Sequence, residues 1–189
     1  MGGVFVVVFY IGLMLFAVIY LVGTTFKGIN IIEVFEGNLI KHGFRINKRI
    51  NAYDLGLKNG YKHWWIVGIW LDYSQRLIAL RLNKESREPI IISFDRIQSV
   101  EIIIDGDIKT SGIGIAYGPF IFGSANSKEI IKELQVRIVT SDNYKGTQHY
   151  VLILYDSSSF GFAKPHPDYK VLENCARRIY DEISYILRN

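Results

Sequence analysis

The N-terminus of this chain is a long, uncharged and mostly apolar stretch. The first 26 residues include no Asp, Glu, Lys, Arg or His, and Lys27 is the first charged residue. Residues 4–22 are a run of 19 residues that is apolar apart from one glycine and the hydroxyl groups of two tyrosines. A helix that rises about 1.5 Å per residue crosses a hydrocarbon core of roughly 30 Å with about this number of residues. Residues 1–26 are therefore predicted to form a single transmembrane helix that anchors the chain.

Two other interpretations of this stretch are less well supported. A cleavable signal peptide needs a basic n-region, a shorter apolar core and a small-residue cleavage site. Here only Met1, Gly2 and Gly3 precede the apolar run, and no Ala-x-Ala-like site follows it. A buried core helix usually keeps a polar stripe, whereas this stretch is apolar all round.

Residues 27–62 are predicted to be a basic juxtamembrane segment. Between positions 41 and 62 there is one acidic residue, Asp54, and there are six basic ones: Lys41, Arg45, Lys48, Arg49, Lys58 and Lys62. Lys and Arg flanking a span tend to stay on the cytoplasmic side, so the C-terminal domain is predicted to be cytoplasmic. Two roles remain open for the six residues: they bind anionic lipid headgroups, or they only fix the topology.

Composition limits the class of protein further. The net charge of +4, from 22 basic and 18 acidic residues, is too small for a dedicated nucleic-acid binder, so no nucleic-acid partner is expected. Cys175 is the single cysteine, which rules out an intramolecular disulfide and suits a reducing compartment. We interpret it as a small apolar core residue on a helix rather than as a reactive thiol.

Residues 63–189 are predicted to be one β-rich domain that ends in a helix. Short apolar runs separated by turn residues predict antiparallel strands at 64–71, 77–82, 90–94, 99–105, 134–140 and 149–155. After Pro167 and Asp168, apolar residues recur at three- and four-residue steps, which predicts an amphipathic helix over about 166–188. We expect this helix to pack on the strands. The alternative, that it lies on the membrane, is disfavoured because its polar face is mixed in sign.

The order of the predicted elements and one sequence motif resemble a known domain family. The order of about seven strands followed by one helix resembles a pleckstrin-homology-like (PH-like) domain. The segment from Ser93 to Gly106 is similar to the f-x-d-I-x-S-v-e-i-x-x-D-G segment of uncharacterised bacterial membrane-anchored proteins with such a domain. The resemblance covers about residues 64–156. It implies a β-rich α+β fold, with an antiparallel barrel or sandwich capped by the C-terminal helix, and it implies no catalytic residues.

A glycine-rich segment follows this motif and departs from the family pattern. Residues 111–127 are uncharged, their glycines are less dense than in the family, and they include Pro119, Phe120 and Phe122. One interpretation is a twisted strand or hairpin packed on the domain, with glycines that allow close approach. The other is a loop that inserts Phe120 and Phe122 into the bilayer or into a groove of a partner.

The sequence contains no recognisable catalytic, cofactor or metal motif. Gly112-x-Gly114 lacks the third glycine of a dinucleotide fingerprint, because Tyr117 occupies that position. The four histidines are widely spaced, and no nucleophile motif is present. Carboxylate pairs such as Asp181 and Glu182 are interpreted as solvated charges.

These observations favour a non-catalytic binding or scaffold module at the inner face of the membrane. Its expected partners are the membrane, which it spans once, and either a protein or anionic lipid headgroups. An alternative is a structural subunit of a larger membrane complex. An enzyme whose site is assembled from distant residues is a third and weaker hypothesis.

Overall fold

The computed structural model describes residues 10, 12–16, 31–57, 67–83, 86, 88–105, 107–113, 130–142, 146–156, 162–163 and 166–189, with 107–113 and 163 described by their backbone. Residues 12–16 are helical. The further elements are helix α1 (31–41), β1 (Lys48–Asn51), β2 (Gly68–Asp72), β3 (Leu77–Arg81), β4 (Ile90–Ser93), a 3₁₀ turn (Phe94–Arg96), β5 (Ile97–Ile104), β6 (Asp107–Ile113), β7 (Ile130–Ile131), β8 (Glu133–Asp142), β9 (Gly146–Asp156), β10 (Phe162–Ala163) and helix α2 (Pro167–Arg188).

The first sheet is antiparallel, with strand order β1-β2-β3-β4. A turn follows β2 at residues 73–76, where Arg76 has a φ of 54°. At Gly68 the chain of β1 comes very close, because an added Cβ would overlap the carbonyl oxygen of Ile50 and the Cβ of Asn51. A glycine is therefore required where β1 meets β2.

Both faces of the first sheet are covered, which explains why all five residues of β2 are buried. Ile69 and Leu71 face the main core. Trp70, on the opposite face, belongs to a second cluster with Phe35 and Leu39 of α1. The rings of Phe35 and Trp70 have their centroids 4.5 Å apart. Helix α1 is thus a structural layer on the outer face of this sheet.

The second sheet is also antiparallel, with strand order β6-β5-β8-β9. Asp105, directly after β5, has a positive φ of 50°, as residues of tight turns between antiparallel strands commonly do. Along β8, buried residues alternate with half-buried ones, so Leu134, Val136 and Ile138 face the core. A separate two-stranded sheet pairs β7 with β10.

One hydrophobic core joins the two four-stranded sheets and α2. The helix begins after His166, whose Nδ1 accepts a hydrogen bond from the backbone N–H of Asp168 at 3.2 Å. Its buried stripe contains Leu172, Ile179 and Ile183, at the three- and four-residue steps that the sequence predicted. Cys175 lies fully buried in this stripe, as predicted for a core cysteine.

The coarse prediction of a β-rich fold with antiparallel sheets and a C-terminal helix is confirmed. The finer expectation of a barrel is not met in the described part of the chain. There no strand ladder joins the two four-stranded sheets, and a backbone hydrogen bond from Ile153 to Leu82, 3.2 Å long, links the end of β3 to β9. The predicted juxtamembrane segment 27–62 contains α1 and β1, so its proposed boundary with the following domain falls between two paired strands of one sheet.

Of the predicted transmembrane helix, only residues 10 and 12–16 are among those described. Among the helices that the structure describes, none is both long enough and apolar enough to cross a membrane.

Candidate functional site

The structure describes four of the six basic candidate residues, and it places them on α1, in the loop after it and on β1. Lys41 ends α1 and Arg45 lies in the loop that follows, and both are exposed. Lys48 and Arg49 are the first two residues of β1. The remaining candidates lie outside the described residues: Lys58, Lys62, Phe120 and Phe122.

Arg49 is held in an ion-pair network on the outer face of the first sheet. Its Nε donates to Asp54 Oδ2 at 2.7 Å, and one of its terminal nitrogens donates to Glu36 Oε1 at 2.9 Å. The same Glu36 oxygen accepts a hydrogen bond of 2.8 Å from Trp70 Nε1. The hydrogen bond to Glu36 raises the pKa of Arg49 although burial opposes the rise. Arg49 of β1 is therefore connected to α1 through Glu36, and Glu36 is connected to β2 through Trp70.

Asn51 extends this outer network. Its side-chain nitrogen donates to Asp54 Oδ2 at 2.9 Å, while the backbone N–H of Asp54 donates to Asn51 Oδ1 at 2.9 Å. Asn51 is fully buried. These two bonds close a turn after β1 and fix the carboxylate that pairs with Arg49.

Arg81 adds a further contact to the outer layer. Its side chain lies on β3 and is 2% exposed, with the guanidinium carbon 5.5 Å from the centre of the Phe35 ring. Burial lowers the pKa of Arg81 to about 10. This cation–π contact also connects the first sheet to α1.

A second polar cluster lies on the other face of β1. Glu182 of α2 accepts from Lys48 Nζ and from the Tyr73 hydroxyl, and the glutamate is only 9% exposed. Burial, followed by the hydrogen bond to Glu182, raises the pKa of the Tyr73 phenol above its ordinary value. The cluster connects α2 to β1 and to the turn after β2.

The prediction that Glu182 is a solvated charge is wrong. Glu182 lies three residues after Ile179 and four before Ile186, so helical geometry places it at the edge of the apolar stripe. A lysine and a tyrosine from distant parts of the chain meet it there, and they satisfy the buried carboxylate. The helical position of Glu182 could be predicted from the sequence, whereas its contacts with Lys48 and Tyr73 could not.

A cleft of about 390 Å³ runs between β1 and α2. Its lining residues are Lys48, Arg49, Ile50, Asn51, Asp54, Leu55, Arg178, Asp181 and Glu182. The three basic and three acidic side chains balance in formal charge. Burial is the main reason that the pKa of the Asp181 carboxyl is raised, although Arg177 and Arg188 oppose the rise. The cleft thus offers polar recognition without a strong field of either sign.

The only cysteine is not poised to react, and the described acidic, histidine and cysteine side chains form no metal cluster. Cys175 is fully buried, and burial raises the pKa of its thiol to about 12, so the reactive thiolate is disfavoured. In the part of the chain that the structure describes, no group of three or more His, Cys, Asp or Glu side chains could hold a metal ion.

The loop of Arg45 is fixed by a buried carboxylate. Asp72, at the end of β2, accepts from the backbone N–H of Arg45 at 2.7 Å and from Ser74 Oγ at 2.6 Å. Gln75 N–H donates to the same carboxylate at 3.0 Å. Burial alone would raise the pKa of Asp72, but these hydrogen bonds outweigh it and lower the pKa. The Arg45 backbone is therefore anchored while its side chain stays exposed.

Comparisons with known proteins found no match for this chain among protein-family models, curated proteins or solved structures.

Proposed function

We propose that this chain is a non-catalytic binding or scaffold module that an N-terminal transmembrane helix holds at the inner face of a membrane. The observation that carries the proposal is the exposure of the apolar residues at positions 13–16. Leu13 is 56% exposed, Met14 74%, Leu15 58% and Phe16 72%. Four consecutive helical positions point in four directions, so no side of this segment is covered.

An apolar helix that is exposed all round is unfavourable in water and favourable in lipid. These residues lie inside the run 4–22, which is long enough to reach across a hydrocarbon core of roughly 30 Å. Leu and Phe each favour insertion by about 0.3–0.6 kcal/mol at the centre of a bilayer. A membrane anchor therefore explains a feature that would be costly in a protein without one.

The order of elements in the described domain supports a PH-like module as its soluble part. A four-stranded antiparallel sheet is followed by a second antiparallel sheet and by a terminal helix that packs on their common core. The ion-paired clusters around β1 and the buried Cys175 favour binding over catalysis, since neither presents an activated nucleophile.

The anchor and its orientation are tested with the full chain in bacterial membranes. We expect the chain to stay in the membrane pellet after an alkaline carbonate wash. The double variant Leu15→Arg/Phe16→Arg should be released, because each arginine near the helix centre costs about 2.5–3.5 kcal/mol of insertion free energy. Release of the unmodified chain by carbonate would contradict the anchor.

Orientation is read from a cysteine at an exposed position of β9, in the variant Thr147→Cys. A membrane-impermeant maleimide should label it only after the inner membrane is opened. Labelling in intact spheroplasts would place the domain outside the cell. If a stoichiometric protein co-purifies with the full chain but not with Leu15→Arg/Phe16→Arg, the alternative of a subunit joined through the span is favoured.

A further inference from the structure

Helix α1 presents a distinct outer surface. Phe35 and Leu39 point to the sheet and are buried. Val34 is 56% exposed, Ile40 is 64% exposed, and Lys41 is also exposed, on the side of the helix away from the sheet. Helical steps of 100° per residue place these three on one side, separated from Phe35 and Leu39. The helix therefore has one apolar face that is packed and one partly apolar face that is open.

Two of the exposed basic side chains, Lys41 and Arg45, lie at the end of α1 and in the loop just after it. Lys48 and Arg49 are each ion-paired within the fold. Within the described part of the chain, the side chains of Lys41 and Arg45 have no hydrogen-bond or ion-pair partner, and both are exposed. Glu33, at the start of the same face, is exposed as well and reduces the net charge to +1.

The position of α1 in the chain limits its distance from the anchor. Eight residues, 23–30, separate the apolar run from α1. A fully extended chain of this length reaches about 30 Å, so the first residue of α1 lies no farther than this from the end of the apolar run.

We infer that the outer face of α1, formed by Val34, Ile40 and Lys41, lies on the anionic surface of the membrane, with Arg45 of the following loop as a second cation. Aliphatic side chains beside lysine and arginine are the composition with which an interfacial helix enters the headgroup region. The inference rests on the proposed function, because it requires the anchor. It also divides the basic segment: Lys41 and Arg45 contact lipid, whereas Lys48 and Arg49 stabilise the fold.

The test uses the full chain in proteoliposomes, with the fluorophore NBD on single introduced cysteines. Val34→Cys and Ile40→Cys report on α1, Phe16→Cys reports on the anchor, and Thr147→Cys on β9 is an exposed control. Cys175 is fully buried, so it should remain unlabelled, and the unmodified chain checks this directly.

In vesicles of phosphatidylcholine and phosphatidylglycerol, nitroxide-labelled lipid should quench the labels at positions 34 and 40 several-fold more than the label at 147. The double variant Lys41→Gln/Arg45→Gln should reduce quenching at 34 to its level in pure phosphatidylcholine, because each cation strengthens surface binding about fivefold. The matched variant Lys132→Gln/Lys170→Gln removes two exposed cations elsewhere and should leave quenching at 34 unchanged.

Three outcomes overturn the inference, and one of them also overturns the proposed function. If position 16 is quenched while 34 and 40 match 147, the anchor stands and the surface contact is wrong. If 34 and 40 escape both lipid quencher and aqueous iodide, a protein covers this face. If the nitroxide-labelled lipid does not quench the label at position 16 either, the chain has no membrane anchor there and the proposed function is wrong. Circular dichroism of every variant separates these outcomes from unfolding.

Discussion

Two consecutive basic residues of β1 make ion pairs on opposite faces of the first sheet, and they differ in kind. Arg49 reaches two carboxylates, Glu36 and Asp54, with its planar group of donors. Lys48, whose side chain is 47% exposed, reaches the single carboxylate of Glu182. Because successive residues of a strand point to opposite sides, Arg49 pairs with a residue of α1 and Lys48 pairs with a residue of α2.

The comparison shows that the number of basic residues in a segment does not predict how many of them are free to bind a ligand. Arg49 connects α1 and Lys48 connects α2, so both serve the fold before any ligand is considered. The sequence shows that six of the 22 residues from 41 to 62 are basic, but it does not show which of them are ion-paired with acidic residues that are distant in the chain. The difference between the two clusters leads to predictions of decreasing size.

Replacement of Trp70 should have the largest effect, because its ring is fully buried between α1 and the sheet. We expect Trp70→Ala to lower the free energy of unfolding by about 3–5 kcal/mol. Trp70→Phe keeps most of the packing and loses the hydrogen bond to Glu36, which should cost about 1–2 kcal/mol. Urea unfolding of the full chain in detergent, followed by circular dichroism, measures both. Equal losses for the two variants would mean that α1 does not pack on this ring.

The sequence predicted the parts of the fold that depend on local patterns. Leu134, Val136 and Ile138 alternate with more polar residues, so strand β8 and its buried face were predictable. The turn at residues 73–76 follows from local residue preferences. The stripe of α2 follows from three- and four-residue spacing.

The parts that were not predicted depend on distant partners. Ile32, Phe35 and Leu39 have helical spacing, yet that spacing does not say which surface the helix covers. The available clue was the run of residues 64–71, which is apolar apart from Gly68, because a strand with apolar residues on both faces requires a layer on each side. For the candidate site, the pairing of Lys48 with Glu182 joins residues 134 positions apart, and nothing local to either residue indicates it.

Neutral replacements of Arg49 and Lys48 should lower the free energy of unfolding by different amounts. Arg49→Met removes hydrogen bonds to two partly buried carboxylates and should cost about 1–2 kcal/mol of unfolding free energy after allowance for its 41% exposure. Lys48→Met removes one half-exposed ion pair and should cost about 0–1 kcal/mol. Arg49→Lys should restore less than half of the loss, because an ammonium group lacks the planar set of donors.

Double-mutant cycles measure these couplings directly. Arg49→Met is combined with Glu36→Gln, and Lys48→Met with Glu182→Gln, so that each cycle isolates one pair. A coupling energy for Lys48 and Glu182 as large as that for Arg49 and Glu36 would remove the distinction between the two clusters.

An effect as small as that at Lys48 is expected for acid stability at Asp72, which fixes the loop of Arg45. Its pKa is lowered in the folded state because hydrogen bonds from Ser74 and from two backbone N–H groups outweigh burial. Since an unfolded aspartate titrates near about 3.9, its ionised form contributes stability above that pH, and the contribution is lost as the pH falls through the folded pKa. Asp72→Asn should therefore cost about 0.5–1 kcal/mol at neutral pH.

The pH dependence distinguishes this role from a simple loss of packing. The difference between Asp72→Asn and the unmodified chain should stay constant from about pH 6 to about pH 5 and shrink as the pH falls below about 4, because protonation of Asp72 removes the charge that the asparagine variant already lacks. Asp95→Asn is the matched control, since that side chain is 71% exposed and pairs with Arg76 at the surface. Its stability should follow that of the unmodified chain across the range. A difference at Asp72 that stays constant with pH would show that the loop depends on the shape of the side chain and not on its charge.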